Sequence, residues 1–313
     1  MVSLVVEETH EDLKLLDVLK EAYPDFPKKA MSKAFKYGFV TLNGERAKSG
    51  DEVKKGDDIR VFVTGDVAGL ELKPEIIYQD ENFIIADKPA GLKCVSENGE
   101  PSALAMVEEH MKSRGEYSLD ALLVPYMVYP LEKYVSGLIV LAKHEGAYLF
   151  MAQALAQRRF SRYYVCPVVG RAEENGELLA YHHQDKSHVR ILGSHSRDAK
   201  PIVTRYSLLS SGKEMSLICA RPLTNFLHQV RAHLAFAGLP VAGDNTYGNK
   251  KFNRKHSAVY AAIWLKSIVF EIGSNNDYGY LNGRKFESRT CSFPKCVYDD
   301  GLLKDTEKGS FDI

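Results

Sequence analysis

Hydrophobic residues recur at helical spacing near the start of the chain. Leucines stand at every third position over residues 12–20, which predicts a helix there. A second helix is predicted from Lys28 to Tyr37, because the glycine that follows at position 38 is a common helix stop. The chain therefore opens with two helices in succession.

Short apolar runs separated by turn residues follow these helices. Residues 39–42 and 59–63 are predicted to be strands, and Asn43-Gly44 is typical of a tight hairpin turn between antiparallel strands. The pattern of apolar and polar residues changes near residue 66. We therefore predict a small helix-and-strand domain over residues 1–66.

The longer segment, residues 67–298, alternates short apolar strands with glycine and proline and contains two helical patterns, which is typical of a mixed α+β domain. The predicted strands are residues 83–86, 138–142, 163–169, 202–209 and 215–220, and the predicted helices are residues 147–155 and 228–237. Residues 299–313 are polar and acidic without periodicity, which predicts a mobile tail.

The composition is that of an ordinary globular protein, with 45% hydrophobic and 26% charged residues, and it excludes intrinsic disorder, collagen and a disulfide scaffold. Lys+Arg and Asp+Glu both number 41, so any nucleic-acid contact must be local. Five scattered cysteines favour reduced thiols, and no metal is predicted. The sequence has no apolar run of membrane-spanning length and begins with an acidic segment, so we expect no membrane partner and a cytoplasmic location.

Four lysines fall on the second predicted helix. Lys29, Lys33 and Lys36 are spaced i, i+4 and i+7, which aligns them on one face, and Lys28 lies beside them. One interpretation is a solvated helix face. The other is a surface that contacts phosphates.

The helix pair and the segments that follow resemble the S-four-type RNA-binding module. The resemblance covers residues 10–64 and rests on GFVTLNG at residues 38–44 and KGDDI at residues 55–59. It implies that the first domain binds RNA through its lysine face, with an affinity that falls as salt rises.

Four further segments resemble, in the same order, the motifs of RluA-type pseudouridine synthases, and together they anchor residues 75–270. The matching segments are residues 76–91, 131–143, 162–170 and 223–248. The resemblance implies a mixed, largely antiparallel β-sheet with flanking helices. It also implies RNA as the partner, most simply rRNA or tRNA, and a reaction that needs no cofactor.

The resemblance assigns roles to three residues. Glu132 occupies the position of the family's catalytic aspartate, which acts covalently on the sugar or removes a proton from it. Tyr164 aligns with the tyrosine that stacks on the flipped base, although a tyrosine packed against Tyr163 in the strand is the simpler interpretation without the family. Arg231 aligns with the arginine that pairs with the carboxylate and keeps it ionised.

Several positions depart from the family's pattern. Glutamate at position 132 carries one extra methylene, which moves the carboxylate by about 1.5 Å unless the backbone retreats, and a 1 Å displacement can cost about 100-fold in rate. Pro130 stands in place of the arginine that fills the gap left by the flipped base. Residues 225–227 replace a tight turn and a cation by bulkier side chains.

A basic cluster that includes Lys250 and Lys251 could contact phosphates, or its charges could simply be solvated on a loop. Three functions stay open from the sequence: an RNA uridine isomerase acting through Glu132, a relative that binds RNA without catalysis, and an enzyme with altered chemistry on a nucleoside-like ligand. The departures at the site favour the second. The sequence leaves the oligomeric state open.

Overall fold

The computed structural model describes residues 2–24, 31–32, 34–35, 40–61, 72–96, 100–186, 188–256, 258, 260–289, 291 and 293–303. The chain divides into two compact units, Met1–Leu72 and Lys73–Ile313. The predicted domain boundary after residue 66 falls in the segment 62–71, outside the described residues, and stays a prediction.

The first unit has a small antiparallel sheet. Its elements are β1 (Val2–Val5), α1 (Leu15–Ala22), β2 (Val40–Leu42), β3 (Glu45–Arg46) and β4 (Asp58–Val61), with strand order β1-β4-β2-β3. The predicted turn joins β2 to β3. Asn43 and Gly44 have φ of 52° and 84°, the left-handed values that a two-residue hairpin turn of this type requires.

Helix α1 starts later than predicted. The backbone of residues 12–15 bonds instead to residues 51–53, including Leu15 N–H to the Asp51 carbonyl at 2.8 Å. Leu13 is consequently 39% exposed, whereas Leu15 and Leu19 are fully buried in the core of this unit. Of the second predicted helix, the described residues 31–32 and 34–35 are helical. Lys28, Lys29, Lys33 and Lys36 all lie outside the described residues.

The second unit is built on one large sheet. Its described strands run in the order β11-β10-β12-β13-β9-β14-β8-β6-β5, with β7 paired to β8 and β15 to β14. The pairings are antiparallel except for the parallel contact between β14 and β8. The strand bounds are β5 Glu75–Gln79, β6 Phe83–Lys88, β7 Tyr126–Tyr129, β8 Ser136–Ala142, β9 Phe160–Val169, β10 Asn175–Asp185, β11 His188–Leu192, β12 Lys200–Ser211, β13 Met215–Pro222, β14 Trp264–Phe270 and β15 Lys285–Glu287. The predicted fold class is confirmed.

Helices flank this sheet. They are α2 (Ala103–Ser113), α3 (Glu145–Ala156), α4 (Gln229–Phe236), α5 (Lys250–Lys255) and α6 (Lys295–Asp299). Two short 3-10 turns complete the described elements, one in each unit, at Glu8–His10 and Gly279–Leu281. Among the described residues no helix is long and apolar enough to cross a bilayer.

Two sequence predictions about this unit are wrong. The basic cluster at residues 250–255 is a helix rather than a loop, because the Asn249 side chain caps it by accepting from Phe252 N–H at 3.0 Å. The mobile tail does not begin at residue 299. Leu302 and Leu303 are 3% and 6% exposed and pack into the core of the second unit. The tail prediction for residues 304–313 lies outside the described residues.

Candidate active site

Three elements bring the predicted site residues into one cavity. Glu132 lies in the loop between β7 and β8, Tyr164 lies on β9, and Arg231 lies on α4. All three line a cavity of about 330 Å³, which is within the range of volumes that bind small ligands. The fold therefore places side chains together that are far apart in sequence.

A short ion pair joins the carboxylate to the guanidinium. Nη1 of Arg231 donates to Oε2 of Glu132 at 2.5 Å, and Nε2 of His228 lies 3.8 Å from the same oxygen. Hydrogen bonds between ionised groups are shorter and stronger than neutral ones. The Glu132 side chain keeps 39% of its surface exposed, so one oxygen is held by Arg231 while the group still faces the cavity.

A second carboxylate holds Arg231 from behind. Asp244 is fully buried and accepts from Nε and Nη2 of Arg231, each at 2.7 Å. It also accepts from the backbone N–H groups of Thr246 and Tyr247 at 2.8 and 3.0 Å. Burial alone would raise the pKa of Asp244, but the hydrogen bonds and charge of Arg231 outweigh it, and the net shift is downward. Asp244 is therefore an ionised anchor for the guanidinium.

Glycine at position 243 permits this arrangement. Its φ is +78°, and a Cβ atom there would lie 2.0 Å from the carbonyl oxygen of Tyr260. The chain can make the turn that aims Asp244 at Arg231 only without a side chain at this position. The sequence motifs gave Asp244 no role. The available signal was an acidic residue directly after a glycine near a predicted site.

Tyr164 faces the cavity and pairs with a second tyrosine. It is 4% exposed, and its hydroxyl lies 2.7 Å from that of Tyr129. Burial raises the pKa of Tyr164 well above its usual value, so the hydroxyl is protonated at neutral pH. Successive side chains of a strand point to opposite faces, so Tyr163 faces the other side of the sheet. There the guanidinium of Arg221 lies over its ring. Tyr164 is thus a cavity residue rather than a packing partner of Tyr163.

Arg162 is a cation in the same wall that the sequence interpretation gave no role. It is 4% exposed, its guanidinium lies 4.5 Å from the ring centre of Tyr129, and Nη1 donates to Oδ1 of Asn225 at 3.0 Å. The site therefore contains two buried arginines with different surroundings. Arg231 contacts two carboxylates, whereas Arg162 contacts neutral groups.

Comparison with known proteins identifies the domain that carries this cavity. Residues 82–236 match the family described as RNA pseudouridylate synthase. Over this segment the chain is similar to RNA pseudouridylate synthases. The RluA-type resemblance predicted from the motifs is thereby confirmed at the level of the family.

Relatives of this synthase family cover most of the chain. An uncharacterized RNA pseudouridine synthase of Aquifex aeolicus (strain VF5) is 29% identical over 254 residues, which are 77% of this chain and 78% of that protein. Ribosomal large subunit pseudouridine synthase D of Borreliella burgdorferi is 29% identical over 271 residues, 82% of this chain and 79% of that protein.

Solved structures of human proteins share the fold. Human RNA Pseudouridylate Synthase Domain Containing 1 has a TM-score of 0.54 at 18% identity, covering 75% of this chain and 91% of that one. Human RNA Pseudouridylate Synthase Domain Containing 4 has a TM-score of 0.53 at 20% identity, covering 63% and 84%. The pseudouridine synthase fold of the second unit agrees with the large, mostly antiparallel sheet described above.

The loop that departs from the synthase pattern has a defined structure here. Asn225 accepts from Arg162, and the ring of Phe226 stacks on His182 at 5.0 Å. His228 follows with φ 53° and ψ 18°, a left-handed conformation that is uncommon for residues other than glycine. Its Nδ1 lies 2.9 Å from the hydroxyl of Tyr247, which fixes the ring beside Glu132. The substituted loop therefore builds one wall of the cavity.

Two of the other predicted RNA contacts lie on α5 and are not brought to this cavity. Lys250 and Lys251 are exposed on α5 and are absent from the cavity lining. Their proposed contact with phosphates stays a prediction, as does that of the four lysines of the first unit. Within the described part of the chain, no three histidine, cysteine or acidic side chains converge as a metal site would require.

Proposed function

We propose that this protein binds RNA and converts uridine to pseudouridine with Glu132 as the reacting carboxylate. The observation that carries the proposal is the contact between Glu132 and Arg231 within a cavity that Tyr164 also lines. A carboxylate turned to solvent, or distant from the guanidinium, would have been incompatible with the chemistry.

The reaction is an isomerisation and needs no oxidant or reductant. The bond between ribose C1′ and uracil N1 breaks, a bond between C1′ and C5 forms, the proton on C5 leaves, and N1 gains a proton. Glu132 either attacks the sugar or removes a proton from it, and both roles require an ionised group. The guanidinium of Arg231 stabilises that negative charge, and Asp244 keeps the guanidinium in place.

The contact with Arg231 compensates for the greater length of the Glu132 side chain. The extra methylene displaces the carboxylate by about 1.5 Å relative to an aspartate on the same backbone, and catalysis tolerates little misplacement. In this chain the longer side chain ends on a guanidinium that is itself fixed by two hydrogen bonds from behind. The carboxylate is therefore held in one position, which is what the reaction needs from it.

The cavity has the features required to receive an extruded base. A base inside folded RNA must leave its stack before an enzyme can reach its sugar, and aromatic side chains replace the lost stacking. Tyr164 supplies a ring within the cavity, and its protonated hydroxyl, paired with that of Tyr129, can exchange hydrogen bonds with the base. Ribosomal RNA is the first substrate to test, because the Borreliella burgdorferi relative is named for the large ribosomal subunit.

A second candidate function is RNA binding without catalysis. The observation that favours it is Pro130, two residues before Glu132, where the family's pattern has an arginine that fills the vacated stack. Proline has no charge and no side-chain donor, so it cannot substitute for that arginine.

Release of tritium tests the proposal. RNA labelled with tritium at C5 of uridine loses the label to water when C5 joins the sugar. We expect release with the wild-type protein and none with Glu132→Gln, which keeps the shape and removes the charge. No release by the wild type on any cellular RNA, together with release by the double variant Pro130→Arg/Glu132→Asp, would support the second candidate instead.

A further inference from the structure

A second groove opens beside the active-site cavity. It has a volume of about 620 Å³ and lies between the end of α3, the starts of β9 and β12, and the end of β13. Leu155, Arg162 and residues 224–226 line both spaces. The groove is thus continuous with the cavity, and Arg162 stands at the junction.

The charge of this groove differs from that of the whole chain. Among the described residues its lining contains Arg158, Arg162, Lys200 and Arg221 and no carboxylate, whereas the chain as a whole has equal numbers of cationic and anionic side chains. Arg158 and Lys200 are exposed and, within the described ranges, form no ion pair. Arg221 forms an ion pair with Glu271, whose Oε1 lies 3.7 Å from its Nη2, so the net charge of the groove comes from the other three cations. Such a local excess of positive charge attracts anions.

Arg162 at the junction is a buried cation with no acidic side chain paired to it in the described part of the chain. Its hydrogen-bond partners are neutral and include Oδ1 of Asn225, the Thr224 carbonyl and the hydroxyls of Tyr129 and Tyr164. Its Nε is buried with no partner among the described residues. Removing a charge from water is strongly unfavourable unless an opposite charge compensates it. An anion bound at the junction would supply that compensation and use the unsatisfied donor.

We propose that this groove binds the sugar-phosphate backbone of RNA next to the nucleotide that enters the cavity, and that Arg162 contacts a phosphate at the junction. The proposal takes its partner from the proposed function but requires no catalysis. RNA carries one negative charge per nucleotide, which matches the excess of cations along the groove. The half-buried ring of Phe226 adds an apolar surface on which a sugar or base can pack.

Removal of two exposed cations, compared with a matched control, tests whether the groove binds RNA. Arg158→Ala/Lys200→Ala removes charge from the groove, and Lys213→Ala removes the same kind of charge from the turn at the opposite end of the β12–β13 hairpin. Binding of a labelled single-stranded uridine-rich RNA is measured by fluorescence anisotropy at several salt concentrations. All proteins carry Glu132→Gln, so the readout is independent of turnover.

We expect the groove variant to bind about 10-fold or more weakly in 0.1 M salt. The slope of log K against log salt should fall by about 1.4, since each neutralised phosphate of a single strand contributes about 0.7. Lys213→Ala should bind as its parent does. Equal affinity and slope in the groove variant, or equal losses in both, would overturn the proposal. If the wild-type protein released no tritium, the proposed reaction would fail, but the binding result for the groove would still stand.

A change at Arg162 separates binding from a structural role. Arg162→Met keeps the length of the side chain and removes its charge. We expect weaker RNA binding with an unchanged or higher Tm, because an uncompensated buried charge is lost. A lower Tm with unchanged RNA affinity would show that Arg162 serves the fold and would overturn its assignment to phosphate.

Discussion

Replacement of Asp244 by asparagine should destabilise the second unit and loosen Glu132, the carboxylate proposed to react. Asparagine keeps one oxygen that can accept from the backbone N–H groups of Thr246 and Tyr247. That oxygen, Oδ1, also accepts from Nη2 of Arg231, but the NH₂ group would replace Oδ2 and face the Nε donor. One charged hydrogen bond of 2.7 Å is therefore lost in a fully buried place, and the other loses its negative acceptor. Loss of one partner of a buried pair costs about 3–5 kcal/mol. Because Glu132 still compensates part of the charge, we expect about 3 kcal/mol.

Urea unfolding followed by tryptophan fluorescence measures this cost. Trp264 is the single tryptophan and is fully buried in the second unit, so its emission reports unfolding of that unit. Asp277→Asn, on the exposed surface, is the matched control and should change the free energy of unfolding by less than about 0.5 kcal/mol. A loss below about 1 kcal/mol for Asp244→Asn, with an unchanged denaturant slope, would refute the reasoning that this pair is buried and tightly held.

Three further perturbations have defined outcomes. Tyr164→Phe leaves the Tyr129 hydroxyl without its partner and should lower the free energy of unfolding by about 1 kcal/mol, whereas Tyr163→Phe should not. Burial lowers the pKa of His233 to about 4, below the unfolded value near 6.5. The contribution of the neutral imidazole to stability is therefore complete above pH 6.5 and is lost as pH falls towards 4. Urea titrations over this range should show that the free energy of unfolding falls by about 2 kcal/mol, and His233→Gln should reduce that fall. If Lys250 and Lys251 contact phosphates, Lys250→Ala/Lys251→Ala should lower the salt slope of RNA binding by about 1.4 without changing stability.

The sequence predicts the strand β8, which is buried on both faces, but it does not predict β10 and β11 at one end of the sheet. The unbroken apolar run in β8 is fully buried and was predicted within two residues. Strands β10 and β11 were missed because polar, charged and histidine residues interrupt their apolar residues, so neither segment has a continuous apolar run. Their place in the sheet comes from pairing with β12, which no local pattern reveals.

The same limit applies to the site. The motif resemblance selected Glu132, Tyr164 and Arg231, which the structure brings to one cavity. It gave no role to Asp244 or Arg162, because their importance comes from what lies beside them in space. A buried acid behind an arginine and a cation over a tyrosine ring become visible only when strands and loops from distant parts of the chain are assembled.

Nucleoside analysis of the product decides whether Glu132 reacts with uridine. Cellular RNA incubated with the wild-type protein is digested to nucleosides, and pseudouridine is separated from uridine by chromatography. We predict that pseudouridine rises with the wild type and stays at the starting level with Glu132→Gln, although that variant still binds RNA. Equal pseudouridine with both proteins would contradict the assignment of Glu132 as the reacting carboxylate.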